Sequence, residues 1–216
     1  MARSGADPRN PRGRPRAASL EQIVDAAVEI GLDRLTLAAV AERLGIGTTT
    51  LYSYVPSSEA LSIAVASRLL ADFEPKTEAS WDAHDVLVRF GIDLRELLVA
   101  HPGLVDVFAR SIDLPAIADD VERRCALLID RGLPPRTAVL LHGEVAVFVI
   151  AFESVRLAEE ENPTAAGPIL AEAIATTPEF NRDQQFRWAL PALVTGLLAS
   201  VDDGVFPWTE DGSCES

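Results

Sequence analysis

The chain has 216 residues, 48% of them hydrophobic, enough to build a substantial core in one large domain or in a small and a larger one. Its net charge of −14 argues at first against a nucleic-acid partner, and its two cysteines, Cys125 and Cys214, exclude a disulfide scaffold and lack metal-ligand spacing. Arg3, Arg9, Arg12, Arg14 and Arg16 open the chain without an apolar stretch beside them, so a secretory signal is not expected. The apolar runs read as far short of a membrane span, and a reducing, cytoplasmic setting is the expectation.

The charge is unevenly spread. Residues 1–16 carry five Arg and one Asp, whereas residues 17–75 and 76–216 are each acidic on balance. An acidic body with one basic arm orients towards DNA arm first. Residues 1–17, rich in Arg, Pro and Gly, read as a disordered basic arm. Arg12-Gly13-Arg14-Pro15 within it suits a narrow minor groove, where the potential is most negative. The first helix is predicted from Ala18 or Ser19 to Gly31, with Leu20, Ile23, Val24, Ala27 and Val28 as its apolar stripe.

Residues 36–61 form the organising stretch. Leu37, Val40, Ala41 and Leu44 recur at helical spacing behind Thr36, a predicted N-cap. Gly45-Ile46-Gly47 breaks that pattern and a second helix begins at Thr48. It is only about two turns long, too short to stand alone, so Ile46, Leu51 and Val55 are expected to anchor it inward. Helix, glycine turn and second helix make a helix-turn-helix plan. Thr48, Thr49, Ser53 and Thr50 then face outward, small hydroxyls suited to base edges in a major groove. Ser57 reads as the cap of a fourth helix carrying Leu61, Val65 and Leu69 to about Phe73, ahead of Pro75.

From Trp81 onward every readable pattern is helical, so the fold class is all-α. Helices are predicted over 82–100, 103–111, 116–131, 135–160, 166–176 and 182–202, the last containing Pro191, where a kink is expected to be permitted. Val145 to Phe152 is apolar all round and reads as a helix buried on two sides. The expected domains are a helix-turn-helix unit over 18–74 and a larger helical unit over 75–216, with a loose acidic tail from Asp203.

The segment Ile23 to Val65 resembles the DNA-binding domain of the tetracycline-repressor (TetR) family. The resemblance rests on Ile23, Ala26-Ala27, the Gly31-to-Leu35 turn, Thr36, Ala41, Leu44-Gly45-Ile46, Thr50-Leu51-Tyr52 and Glu59-Ala60-Leu61. It covers about a fifth of the chain; beyond it the likeness is one of plan. The resemblance implies a homodimer whose heads read two half-sites of double-stranded operator DNA, and a small-molecule effector bound in the larger domain. Gly47, Thr48 and Thr49 match the family's base-contacting positions, while Thr50, Tyr52 and Tyr54 match positions that meet phosphates or base edges. The DNA set is completed by Thr36, Arg12, Arg14, Arg16 and Ser58. Ser58 stands where the family usually has a phosphate-contacting Lys, so one charge is missing, and a hydroxyl at a helix N-terminus replaces it. The segment RGRP also resembles the core of an AT-hook.

For the effector site the candidates are His101, Phe108, Arg110, His142, Glu144, Phe148, Phe152 and Trp188, with Phe90 as a further aromatic. His101 lies where tetracycline-binding members carry a His that serves the ligand's metal, but it sits in a common His-Pro-Gly turn. His142 and Glu144 are two apart, hence on different faces, so a helix-borne metal pair is not expected, and no cofactor is. His84, near a helix start, is expected to be exposed. The dimer interface is expected from the long helix and the last helix through Val139, Val147, Ala151, Leu190, Leu193, Val194 and Leu197. Two other readings stand beside this one. A ligand-binding or scaffold protein that has lost DNA binding would suit the acidic body and Ser58. An enzyme would need a phosphate loop, nucleophile elbow or metal-binding His pair, and none is readable.

Overall fold

The computed structural model describes residues 18–110, 115–161 and 181–202. The arginine arm, the helix expected over 166–176 and the tail from Asp203 lie outside them. Among the described residues all regular structure is helical.

Helix α1 (Leu20–Ile30) starts at a reciprocal cap: Gln22 N–H donates to Ser19 Oγ at 3.2 Å and Ser19 N–H donates to Gln22 Oε1 at 2.9 Å. A single 3-10 turn, Leu32–Arg34, leads to α2 (Leu37–Leu44), capped by Thr36 Oγ1, which accepts from Ala39 N–H at 3.1 Å. Gly45 ends α2 with φ +65°, a left-handed conformation that favours glycine. The N–H of Ile46 then reaches Ala41 O at 3.0 Å and that of Gly45 reaches Glu42 O at 3.1 Å, closing the free carbonyls of the last turn. This turn sets the start of α3 (Thr48–Tyr52), whose Leu51 is fully buried. Helix α4 (Ser58–Ala71) is capped by Ser57 Oγ, accepting from Ala60 N–H at 3.0 Å. Ile23, Ala27, Val40, Leu51, Val55 and Leu61 form one core, and Ile46 packs at its edge. That core holds α3 in place, because five residues cannot form a stable helix alone.

A second core lies among α5 (Ala83–Ala100), α6 (Gly103–Arg110), α7 (Pro115–Ile129), α8 (Pro135–Glu161) and α9 (Arg182–Asp202). Phe90, Leu98, Leu104, Leu128, Leu141, Val145, Phe186 and Leu190 are buried in it. Helix α8 is central, touching α5, α6, α7 and α9. It is not buried all round: Val145 and Val149 face the core, whereas Val139, Val147, Ala151 and Val155 are exposed. By length and composition α8 is also apolar enough to cross a membrane, which corrects the expectation that every apolar run falls far short. Its buried face instead carries Glu153, fully enclosed, whose carboxylate accepts from Arg95 Nε at 2.8 Å and Arg156 Nε at 2.5 Å. Arg95 Nη1 donates to Asp183 Oδ1 at 2.6 Å, so one guanidinium ties α5 to both α8 and α9. Helix α9 continues through Pro191. His84 is half-buried rather than exposed, 3.2 Å from the Thr195 hydroxyl of α9.

The two cores meet through α4 and α6. Leu32 and Leu69 pack against both. At the start of α6, Gly103 lies so close to the 3-10 turn that a Cβ there would stand 2.5 Å from Leu32 Cβ and 2.9 Å from its carbonyl carbon. Helix α6 thus touches the first core with one end, and its other end carries Phe108 and Ala109.

Candidate nucleic-acid interface and ligand cavity

Burial of Leu51 and Val55 fixes which way α3 faces. Thr48, Thr49, Tyr52 and Tyr54 are exposed and Thr50 is half-buried. None of their side-chain hydroxyls is hydrogen-bonded within the described chain, whereas Ser53 Oγ is spent on Thr50 O at 2.6 Å and Thr36 Oγ1 on its cap. Exposed, unsatisfied donors and acceptors on one short helix are what direct readout of base edges and phosphates requires. Gly47, the residue before α3, is exposed in ordinary extended backbone, and Ser58 is exposed in the first turn of α4.

The cations around this face are already engaged. Arg43, the one basic residue of 36–61, pairs with Glu29. Arg68 pairs with Asp72 at 2.9 Å and Asp25 at 3.7 Å, and hydrogen bonding to Asp72 raises its pKa further. Arg34 pairs with Asp33 at 3.7 Å. All are surface pairs and individually weak, yet together they leave the head with little free positive charge. Arg12, Arg14 and Arg16 lie outside the described residues.

Among the larger unit's helices lies a cavity of about 440 Å³. Leu70 of α4, Phe90 and Leu94 of α5, Phe108 and Ala109 of α6, and Ile117 and Val121 of α7 line it, with Gly143, Ala146, Val147, Ile150 and Ala151 of α8. Its polar wall is Asp120 and His142. His142 is 5% exposed and stacks on Phe90 with ring centroids 4.2 Å apart, and its Nε2 has no hydrogen-bond partner. Burial, and after it the positive charge of Arg124, pushes the imidazole pKa down to about 4. The two Asp120 oxygens both accept from Arg124 Nε, at 3.0 and 2.9 Å. The Arg124 guanidinium also lies 4.3 Å from the Phe73 ring centroid and 4.7 Å from that of Phe90.

Of the eight effector candidates, the structure brings only Phe108 and His142 to the cavity. Helical geometry explains most of the rest. His142, Ala146 and Ile150 repeat every four residues and face it, whereas Glu144, Phe148 and Phe152 sit two positions on from these, on other sides of α8. Glu144 is exposed. Phe148 and Phe152 pack on Phe186, at 6.0 and 5.3 Å between centroids, beside Arg95. Trp188 is 70% exposed on α9. Arg110 borders a separate pocket with Ser58, Glu59 and Ser62. His101 caps α5, its N–H donating to Leu97 O at 3.0 Å, and lies outside the cavity wall. Sequence reasoning missed Asp120 and Arg124. Their spacing of four on one helix was a readable signal, but nothing in the sequence placed that face against His142.

The comparisons bear on the whole chain. No family model matches it. The tetracycline repressor protein class E of Escherichia coli is 24% identical over 208 residues, covering 90% of this chain and 98% of the relative. The transcriptional repressor DrrR1 of Streptomyces coeruleorubidus is 28% identical over 169 residues, 74% of this chain and 62% of that protein. The fold matches apo ActR from Streptomyces coelicolor with a TM-score of 0.68 at 21% identity, over 88% of this chain and all of that one. Over most of its length the chain is thus similar to transcriptional repressors of the tetracycline-repressor (TetR) kind, and it shares the fold of ActR.

Of the positions expected at a dimer interface, Val139, Val147 and Ala151 are exposed on α8, and Leu193 and Leu197 are half-buried on α9. Leu190 and Val194 are corrected: they are 1% and 0% exposed inside the single chain's own core and have no surface left for a second copy. Inward anchoring of α9 on α5 and α8 consumes that face of the helix.

Proposed function

We propose that this regulator is a repressor that binds a palindromic operator as a homodimer and leaves it when a small molecule fills the cavity. The observation that carries the reading is the arrangement of α3: a short helix held by buried Leu51 and displaying unpartnered hydroxyls, joined through α4 and α6 to an apolar cavity. Thr48 and Thr49, with Gly47, read bases. Thr50, Tyr52, Tyr54, Ser58 and the cap of Thr36 hold phosphates, and Arg12, Arg14 and Arg16 supply attraction from the arm. The units divide at about residue 75, and Val139, Val147, Ala151, Leu193 and Leu197 meet a second copy. The protein works in the cytoplasm without catalysis or a cofactor. Release requires that the effector bind the non-DNA arrangement more tightly than the DNA-bound one.

A gel shift with the DNA upstream of its own gene tests the reading. Tyr52→Phe and Thr49→Ala remove single exposed groups, so the fold should persist. A hydrogen bond to a charged phosphate contributes about 1.5–3 kcal/mol, so Tyr52→Phe should weaken binding about tenfold or more. Wild-type affinity in both variants would refute the α3 assignment. The paired state of Arg34, Arg43 and Arg68 favours a second reading, a ligand-binding protein with weakened DNA binding, which predicts no shift at all.

A further inference from the structure

The head keeps little positive charge of its own, because Arg34, Arg43 and Arg68 are each paired with carboxylates. Arg110 differs from every other Lys and Arg among the described residues: it has no ion pair, hydrogen bond or ring contact. Helix α6 sets its place. Val107, one turn earlier, is buried, and Ile63 of α4 packs against the same core. Both line a hollow of about 370 Å³ with Ser58, Glu59, Ser62 and Arg110. Ser58 and Ser62 are four residues apart, so the side of α4 that carries them is the side turned to the end of α6. The Ser62 hydroxyl is spent on Ser58 O at 3.0 Å, whereas the Ser58 hydroxyl has no partner among the described residues. Arg110 and Ser58 are both exposed. Glu59, the hollow's one carboxylate, forms no ion pair with Arg110. An exposed, uncommitted guanidinium can grip a phosphate through two parallel N–H groups with no internal pair to break first.

We infer that Arg110 binds an operator phosphate beside Ser58, supplying from the larger unit the positive charge that the first turn of α4 lacks. The inference rests on the repressor reading above and adds a DNA contact from outside the helix-turn-helix. Ser58 gives that phosphate a hydrogen bond and Arg110 gives it a charge. Arg110 carries no sequence information, since a phosphate contact positions the protein without reading a base.

Gel shifts with the DNA upstream of its own gene, run over a range of salt, test this on the full chain. Each phosphate contact adds about 0.9 to the slope of log affinity against log salt, and a dimer carries Arg110 twice. Arg110→Gln should therefore flatten the slope by about 2 and weaken binding at about 0.1 M salt at least about tenfold. Arg110→Lys should keep the slope. Ser58→Lys added to Arg110→Gln should restore it, because the new charge reaches the same phosphate. Arg187→Gln removes an exposed charge from α9 and should leave the slope unchanged. Calorimetry should give Arg110→Gln the wild-type Tm, since its side chain has no partner in the fold. A wild-type slope in Arg110→Gln overturns the inference, as does an equal loss in Arg187→Gln, which would make the effect one of net charge. Failure of Ser58→Lys to restore the slope overturns the shared phosphate and the inference with it. The two levels separate cleanly: a wild-type chain that shifts no DNA refutes the repressor reading and everything built on it, whereas a wild-type shift that Arg110→Gln leaves unchanged refutes the role of Arg110 alone.

Discussion

Replacing Gly103 with alanine probes the joint between the two cores. The added Cβ would stand 2.5 Å from Leu32 Cβ, 2.9 Å from the Leu32 carbonyl carbon and 3.0 Å from Asp33 N. Ordinary contact begins at 3.4 Å, so α6 and the 3-10 turn must separate by about 0.9 Å. Two of the three atoms are backbone, and no side-chain rotation can clear them. Overpacking of this kind costs about 1–3 kcal/mol, and the rigid partner places it near the top of that range. Alanine recovers up to about 1 kcal/mol of helix propensity. The net loss is about 2 kcal/mol, a fall in Tm of about 4–8 °C for a chain of this size. Calorimetry at fixed protein concentration measures it, with Gly143→Ala as the control because nothing beyond its chain neighbours and its own helix backbone lies within 4 Å of its Cβ position. Since α6 also lines the cavity, operator affinity should change in Gly103→Ala and not only stability. A Tm at or above wild type would refute the close approach and, with it, α6 as the rigid link.

Three further outcomes are expected. Replacing Arg12, Arg14 and Arg16 with alanine removes up to six phosphate contacts from a dimer, so the slope of log affinity against log salt should flatten by about 5; an unchanged slope would take the arm out of the mechanism. Glu153→Ala strips a fully buried carboxylate from Arg95 and Arg156. Each arginine keeps a second partner, Asp183 or Glu160, so the loss should fall near the lower end of the buried-pair range, about 3 kcal/mol, visible as a Tm fall of about 6–12 °C. Wild-type stability there would mean the network contributes nothing net. Lastly, His142 titrates lower in the folded chain, about 4 against 6.5, so the unfolded chain binds more protons between those values. Stability should therefore decline as pH falls from about 7 to 4, by roughly 3 kcal/mol from this residue, and His142→Phe should remove that share in urea-melt curves.

Local chemistry was legible in the sequence. Thr36 and Ser57 cap their helices and Gly45 ends α2, because caps depend on residues within one turn of each other. The inward set of the helix-turn-helix, Val40, Leu51, Val55 and Leu61, followed from spacing alone. The arm's positive charge is equally a property of the sequence.

Tertiary structure decided what depends on partners distant along the chain. A helix such as α8 has apolar residues on every side, so its periodicity does not say which side meets the core. Packing on α5, α7 and α9 sends His142, Ala146 and Ile150 to the cavity, buries Glu153 between two arginines, and leaves Val139 and Val155 outside. The same cause turned Leu190 and Val194 inward and excluded Phe148, Phe152 and Trp188 from the cavity wall. Spacing of four pairs Asp120 with Arg124 on α7, but only the packing of α7 beside α8 brings His142 next to that pair.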